Sequence, residues 1–388
     1  MKKLFFAVLV TLIGLAFTAP AFAVDHQFGG YWRTRMYTQQ NYSGNDDGSQ
    51  DVARAESRTR LYYTAVINDN LKLVNKFEMD ATWGDLGGSY GDLGADGQTL
   101  EIKNSYAEFT MGDNLFRVGT QGSTISRGFI FSNDYSGIVA AIGPATMLYG
   151  KVEENGINMG DDIALYHVNA AFDLGAVKLT PGFTYADIYD SDEAWYLALD
   201  VDSEMFWATL IYEGGELLNE DISAWLVAAG ASVSVSDMLS VHGQAFYATG
   251  DDDATDGDND AFTTLPGTRS YYWAEIMGYS TFDMTAPANG TLGDNITNVM
   301  AINMGVTATP MDKLKLTADL WYAINDEDNA AGDDDLGIEI DLKATYQLVE
   351  GLSLDLVGAY LFAGDVVTGD VSNDENPWVL GTQLSLSF

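Results

Sequence analysis

Cysteine is absent from this 388-residue chain, histidine occurs three times and proline seven, and 18 bases face 57 acids. Without cysteine there is no disulfide framework, no thiolate metal site and no lipid-bearing cysteine. The histidines, His26, His167 and His242, are isolated in sequence, and no His-Glu-x-x-His or phosphate-loop pattern accompanies them. No enzymatic chemistry and no cofactor are expected. A formal charge of −39 repels phosphate backbones, so nucleic acid is not an expected partner. Long apolar runs are missing too. Beyond residue 23 nothing approaches the ~18 apolar residues of a spanning helix.

What the chain does have begins with an address. "MKK", the apolar run Leu4–Phe17 and the small-residue stretch "APAFA" read as a secretory signal peptide, residues 1–23, cut after Ala23. Loss of Lys2 and Lys3 leaves 16 bases against 57 acids in residues 24–388. A hydrophobic content of 47% with 12% aromatics argues for a large folded body rather than an acidic disordered chain.

The apolar period is two. In "GIEIDLKATYQLVEGLSLDLVGAYLF", Ile338, Ile340, Leu342, Ala344, Tyr346 and Leu348 share one face, and Leu352, Leu354, Leu356, Gly358, Tyr360 and Phe362 resume it after Glu350-Gly351. Side chains alternate across a strand, so this is a hairpin of long amphipathic strands. "DKLKLTADLWY" from Asp312 and "RAESRTRLYYTAVI" from Arg54 repeat the pattern. Eight short turns are expected at 68–70, 112–114, 143–145, 174–176, 202–204, 236–238, 310–312 and 350–351, alternating with longer Gly- and Asp-rich segments. One strand on each side of every turn, a first near 26–37 and a last at 377–388, make an antiparallel up-and-down transmembrane β-barrel of eighteen strands. The count falls to sixteen if the weakly patterned stretches 115–145 and 193–213 do not contribute. Closure pairs every backbone group, as lipid requires. Trp32, Tyr63, Trp83, Trp321 and Trp378 are expected in interface girdles, and the terminal Phe388 resembles the signal read by the barrel-assembly machinery of Gram-negative outer membranes.

Ten of the bases cluster between Arg33 and Arg127. Parity puts Arg33 and Arg35 on one face, then Arg54, Arg58 and Arg60, then Lys72, Lys76 and Glu78; Lys103 and Arg117 follow. Arginine at the lipid midplane costs about 2 to 4 kcal/mol, so these residues are expected to line the pore as a basic track. Asp319, Glu339, Asp341 and Asp355 mark the opposite wall. Pairing among these charges, for instance Arg58 with Glu78, is the alternative to a role in permeation. Acids also crowd 187–193, 251–260, 326–335 and 365–375, all expected in long outer loops. Such a rim can contact lipopolysaccharide through divalent cations or focus cations at the mouth. "GDDDATDGDNDAF" (250–262) fails as an EF-hand, because setting Gly257 at the sixth position leaves Ala254 and Thr263 where ligands are required. An irregular calcium site on Asp256, Asp258 and Asp260 is the remaining metal reading. The longest loop, 250–295, is long enough to fold inward, with "SYYWAEIMG" as its constriction segment.

Four stretches, "ESRTRLYY", "NLKLVNKFEMDATWGD", "LEIKNSYAEFTMGDNLFRVGTQ" and "FYATGDDDATDGDNDAF", resemble the porin-like families of Gram-negative outer membranes, and especially the alginate-export-type barrel group. The resemblance implies an eighteen-stranded barrel with a basic conduit for anions, matched here by Arg33, Arg58, Arg60 and Arg117. High acidity and few bases beyond the first third depart from a polyuronate exporter. The expectation is a porin for passive diffusion of small hydrophilic solutes and ions. The alternatives are a specific channel for anionic sugars or organic acids, and a plugged structural barrel tethering lipopolysaccharide. Homotrimers are common in this class, and the sequence itself shows no subunit interface.

Overall fold

The computed structural model describes residues 24–46, 48, 50–84, 99–154, 162–189, 192–253, 255–265, 271–278, 281–282, 296–369 and 374–388; the signal segment lies outside them. Among the described residues eighteen long strands follow one another. They are β1 (Asp25–Gln40), β2 (Val52–Asn68), β3 (Leu71–Thr82), β4 (Glu101–Met111), β5 (Asn114–Ile125), β6 (Phe131–Ile142), β7 (Ala145–Glu153), β8 (Ile163–Ala170) and β9 (Lys178–Ile188). The second half comprises β10 (Asp192–Asp202), β11 (Phe206–Leu217), β12 (Glu220–Ser236), β13 (Leu239–Ala248), β14 (Val299–Met311), β15 (Leu314–Ile324), β16 (Asp335–Val349), β17 (Leu352–Ala363) and β18 (Trp378–Ser387). Each pairs antiparallel with its chain neighbours, and β18 returns to β1 from Tyr31↔Ser387 to Gln40↔Trp378. Gly30 and Phe388 exchange backbone hydrogen bonds of 2.8 and 3.2 Å at this seam. The barrel is closed, with eighteen strands as the sequence indicates, and all eight short turns fall at strand junctions.

The usual burial pattern is inverted, as a bilayer-spanning barrel of the outer-membrane type demands. Large apolar side chains such as Leu61, Ile138, Val168, Leu197, Val227, Met304, Leu342, Leu356 and Leu380 are exposed on the outside. Lipid can cover this face, since alternation turns the polar residues inward. Among the described residues no helix is long and apolar enough to cross a membrane, a statement that leaves the strands as the spanning elements.

The apolar core lies inside the barrel. From β7 to β17 the inward positions near the long-loop ends are themselves apolar, including Leu165, Ile188, Tyr196, Ile211, Leu226, Val299 and Leu361. Both faces of these strands are therefore apolar, which is why alternation was weak over 193–213. Two connections pack against them: residues 126–130, between β5 and β6, and the described parts of the connection between β13 and β14, among them Phe262, Leu265, 271–278 and 281–282. Two details differ from expectation. Asp187, Asp192 and Glu193 lie in β9 and β10, so 187–193 is a tight connection and not a long loop. Trp321 is 2% exposed and packs edge-on to Trp273 at 5.1 Å inside the lumen, not in a girdle. Its odd parity, shared with Asp319, points it inward.

Candidate functional site

On the β1–β6 side the lumen keeps a cavity of about 560 Å³, lined by Arg33, Arg58, Arg60, Glu78, Lys103 and Asp134 with Tyr272 facing them, and by small polar residues of β5 and β6. Register explains the grouping. Arg33 stands opposite Arg58, Arg58 opposite Asp80, and Arg60 opposite Glu78. Two guanidinium groups facing across a strand pair repel, and the acids of β3 compensate. Arg58 donates to Asp80 at 2.7 and 2.5 Å and lies 3.7 Å from Glu78; Arg60 pairs with Glu78. The result is a row of bases held rigidly by a row of acids.

Lys103 enters this row through a bulge. Register slips between Lys76 and Phe77, so Asn104 faces Lys76 while Ile102 faces Phe77, leaving Lys103 as the extra residue. A bulge re-aims a side chain. Ile102 is accordingly 64% exposed on the outside, while Lys103 reaches Asp134 at 2.7 Å. Parity alone could not have placed Lys103 and Glu108 on one face.

The other predicted track residues have separate settings. Arg35 is 3% exposed, and its guanidinium bonds Glu56 and the Thr281 carbonyl, the latter at 2.8 Å. It tethers the 249–298 loop to the wall. Arg54 lies 3.9 Å from Glu56 at the long-loop end. Lys72 and Arg117 flank Glu108 at 3.1 and 2.8 Å near the short turns, and the Lys76 ammonium sits 5.5 Å from the centre of the Tyr62 ring.

The described parts of the 249–298 loop run through the lumen as a strap. At one end Glu213 accepts from the Thr263 N–H at 2.7 Å, from its hydroxyl at 2.6 Å and from Tyr196 at 3.0 Å. Leu265 N–H then bonds the Ile130 carbonyl at 3.2 Å. Tyr271 stacks on Phe129 at 4.3 Å and donates to Gln244, and burial pushes its hydroxyl up to about 12. Trp273 packs on Phe246 and Trp321. The Ile276 and Met277 N–H groups bond Glu339 at 2.7 and 2.8 Å. Phe282 stacks on Tyr37 at 4.8 Å, over Gly381, where a Cβ would stand 2.4 Å from the Phe282 ring. Residues 271–278 of "SYYWAEIMG" thus lie in the lumen, and Tyr272, 53% exposed, is the face they turn to the bases. Such orphan N–H groups need acceptors once the loop leaves water, and the buried carboxylates supply them.

Sequence reading did not find the second strap. At the β5–β6 connection Arg127, held at φ 60°, spans the lumen to Asp202 (2.5 Å) and Thr209 (3.1 Å) and lies 4.7 Å from the Trp207 ring. Ser126 beside it donates to Asp200 at 3.1 Å. The only sequence signal was a base without a hairpin partner of its own.

The acids of the far wall do not form an open rail. Glu339, Asp341 and Asp355 are 0, 7 and 7% exposed; Asp319 holds His242 at 2.8 Å and Asn303 at 3.0 Å. In the acidic loop Asp256 accepts the Asp258 N–H at 2.9 Å. The described residues include no group of three or more acids or histidines placed to hold a metal ion, so Asp256, Asp258 and Asp260 are not gathered into one. One serine string has nucleophile-elbow spacing, Gly87-Gly88-Ser89-Tyr90-Gly91. It belongs to the β3–β4 connection and lies outside the described residues.

No family model matches the chain, and no curated protein does. Solved structures do. OpdK of Pseudomonas aeruginosa, determined with vanillate, is 11% identical with a TM-score of 0.62 over 94% of this chain and 99% of that one. OpdL of the same organism is 12% identical, TM-score 0.62, over 94% and 98%. OccK8 (OprE) is 12% identical, TM-score 0.61, over 94% and 98%. At these identities the likeness establishes the fold, an outer-membrane barrel. The resemblance to the alginate-export-type group rests on its four sequence stretches.

Proposed function

We propose that this chain is an outer-membrane channel that passes small anionic solutes, organic acids in particular, along the β1–β6 wall of a lumen narrowed by two straps. The observation that carries this reading is the polar cavity between Tyr272 and the Arg33, Arg58, Arg60 and Lys103 row. Bases fixed by neighbouring acids give the cavity a positive face of set geometry, which suits a carboxylate in transit better than a permanent complex. A cavity of about 560 Å³ suits one small molecule and not an oligosaccharide. That OpdK was determined with vanillate, a small aromatic carboxylate, supports this solute class.

Purified protein in planar bilayers tests the proposal. Reversal potentials in a salt gradient should show anion preference, and proteoliposomes should take up small monocarboxylates faster than neutral sugars of equal size. Cation preference together with equal uptake of both would refute it.

A further inference from the structure

Beneath the strap three carboxyl groups meet with no base between them among the described residues. On β16, Glu339 accepts the N–H groups of Ile276 and Met277 at 2.7 and 2.8 Å. Asp341, the next inward residue, takes the Glu275 N–H through Oδ2 at 3.4 Å. Glu275 turns back and accepts from the Thr281 N–H and hydroxyl at 2.9 and 2.7 Å. Glu339 and Asp341 are in hydrogen-bond contact with each other.

Two buried atoms here lack partners. Asp341 Oδ1 receives no hydrogen bond, and neither does the hydroxyl of Tyr42, a fully buried residue from the β1–β2 connection. Tyr42 faces all three acids; burial first, and then their charge, pushes its hydroxyl well above the usual range, so it remains neutral. Among the described residues the surrounding charges do not supply a counterion. Arg35 is engaged by Glu56 and the Thr281 carbonyl. Lys343, one inward position further along β16, lies 3.7 Å from Asp355 of β17. Asp319, opposite Asp341 on β15, adds negative charge and is bonded to His242.

An orphaned carboxyl oxygen beside a second carboxyl group is the arrangement of a shared proton, because two carboxylates in contact cannot both ionise without a large cost. We propose that Asp341 is a carboxylic acid that donates its proton to Glu339, and that this proton latches the 275–277 segment to the barrel wall. With it, Glu339 is a single carboxylate satisfied by two N–H groups and one O–H. Without it, three like charges stand together in a dry site under the strap, and the segment is driven off β16. Tyr272, three residues before Glu275, moves with it, so the cavity opposite Arg58 and Arg60 changes width. The latch is a regulation of the channel proposed above and rests on that reading for its consequence, though not for its chemistry.

The absence of cysteine permits a test that does not depend on conduction. A single cysteine at Met277 is labelled with a maleimide in the refolded barrel. Its rate is divided by that of a single cysteine at Leu218, 80% exposed, which removes the thiol's own pH dependence. From about pH 6 to about pH 10 the ratio should rise at least about tenfold, reversibly. Asp341→Asn, whose amide donates to Glu339 permanently, should keep the ratio low throughout. Glu339→Gln should remove the pH dependence from a higher baseline, so the proposal remains testable should either variant misfold. A flat wild-type ratio, or one that rises equally in both variants, overturns the latch. Conductance read on the same samples separates the two ideas: a rising ratio without channels refutes the channel and leaves the latch standing, while channels with a flat ratio do the reverse.

Discussion

The Arg60–Glu78 pair offers a test of whether the charges on the β1–β6 wall act on solute or only on each other. Arg60→Ala and Glu78→Gln break the same ion pair. A merely structural role would move both variants in the same direction. An electrostatic role moves them oppositely, because one change subtracts a positive charge from the cavity lining and the other subtracts a negative one. Both side chains reach water, with 26 and 10% of their surface exposed, so a high effective dielectric applies. At about 6 Å and a dielectric near 80, one unit charge contributes about 0.7 kcal/mol to a passing monovalent ion, roughly a threefold change in partitioning. Arg60→Ala should therefore lower the anion-to-cation permeability ratio about threefold, and Glu78→Gln should raise it by a similar factor. Both shifts should shrink in high salt. The assay is the reversal potential across a planar bilayer in a fixed gradient. Shifts of the same sign, or none in either variant, would show that the pair only fills space.

Three further outcomes follow from other parts of the barrel. Met304→Arg, on the outer face at 76% exposure, should cost about 2 to 4 kcal/mol in a bilayer and lower the urea midpoint of refolded protein, whereas Thr307→Arg, facing inward, should not. Glu213→Leu strands the N–H and hydroxyl of Thr263 and leaves the Tyr196 hydroxyl only the Thr263 carbonyl; at about 1 to 3 kcal/mol for each stranded group, the strap should come loose there, raising protease cleavage near residue 263 without unfolding the barrel. At the rim Asp260 and Glu327 hold protons more tightly than usual, through desolvation first and then neighbouring aspartates. A carboxyl whose folded pKa is raised binds more protons folded than unfolded, so the rim should tighten as pH falls from neutrality toward those raised values. Cleavage of the 250–262 loop should slow at about pH 5 relative to pH 7, modestly because these groups are largely exposed.

The wall of this barrel was legible because its rule is local. Period-two alternation and Gly/Asp turns place each strand without reference to any other, so eight turns and eighteen strands could be counted from sequence. The interior follows a different rule. Arg35 and Arg33 have the same parity and neighbouring positions, yet Arg35 is buried against the Thr281 carbonyl of the strap and Arg33 lines the cavity. Lys103 depends on a bulge that alternation does not encode. Trp321 looks like a girdle tryptophan until Trp273 arrives from nearly fifty residues earlier. Non-local packing also converts the acids of β16 from a charged rail into acceptors for loop N–H groups. The strap itself was visible as a long aromatic segment; its path was not.

The seam between β1 and β18 has a consequence for assembly. Sixteen of the eighteen strands form hairpins across the short turns between β2 and β17, but the last ladder joins residues 31–40 to 378–387. Bringing such distant ends together carries a loop-closure cost of about 5 kcal/mol in a flexible chain, incurred before any seam hydrogen bond forms. The seam is therefore the step at which folding commits. A chain shortened at either end would retain most of its hairpins and still lack a continuous cylinder, leaving two unpaired edges in the lipid. Joining the ends and reopening the chain at the rim near Gly332 should move that commitment elsewhere on the circumference while leaving the finished barrel the same.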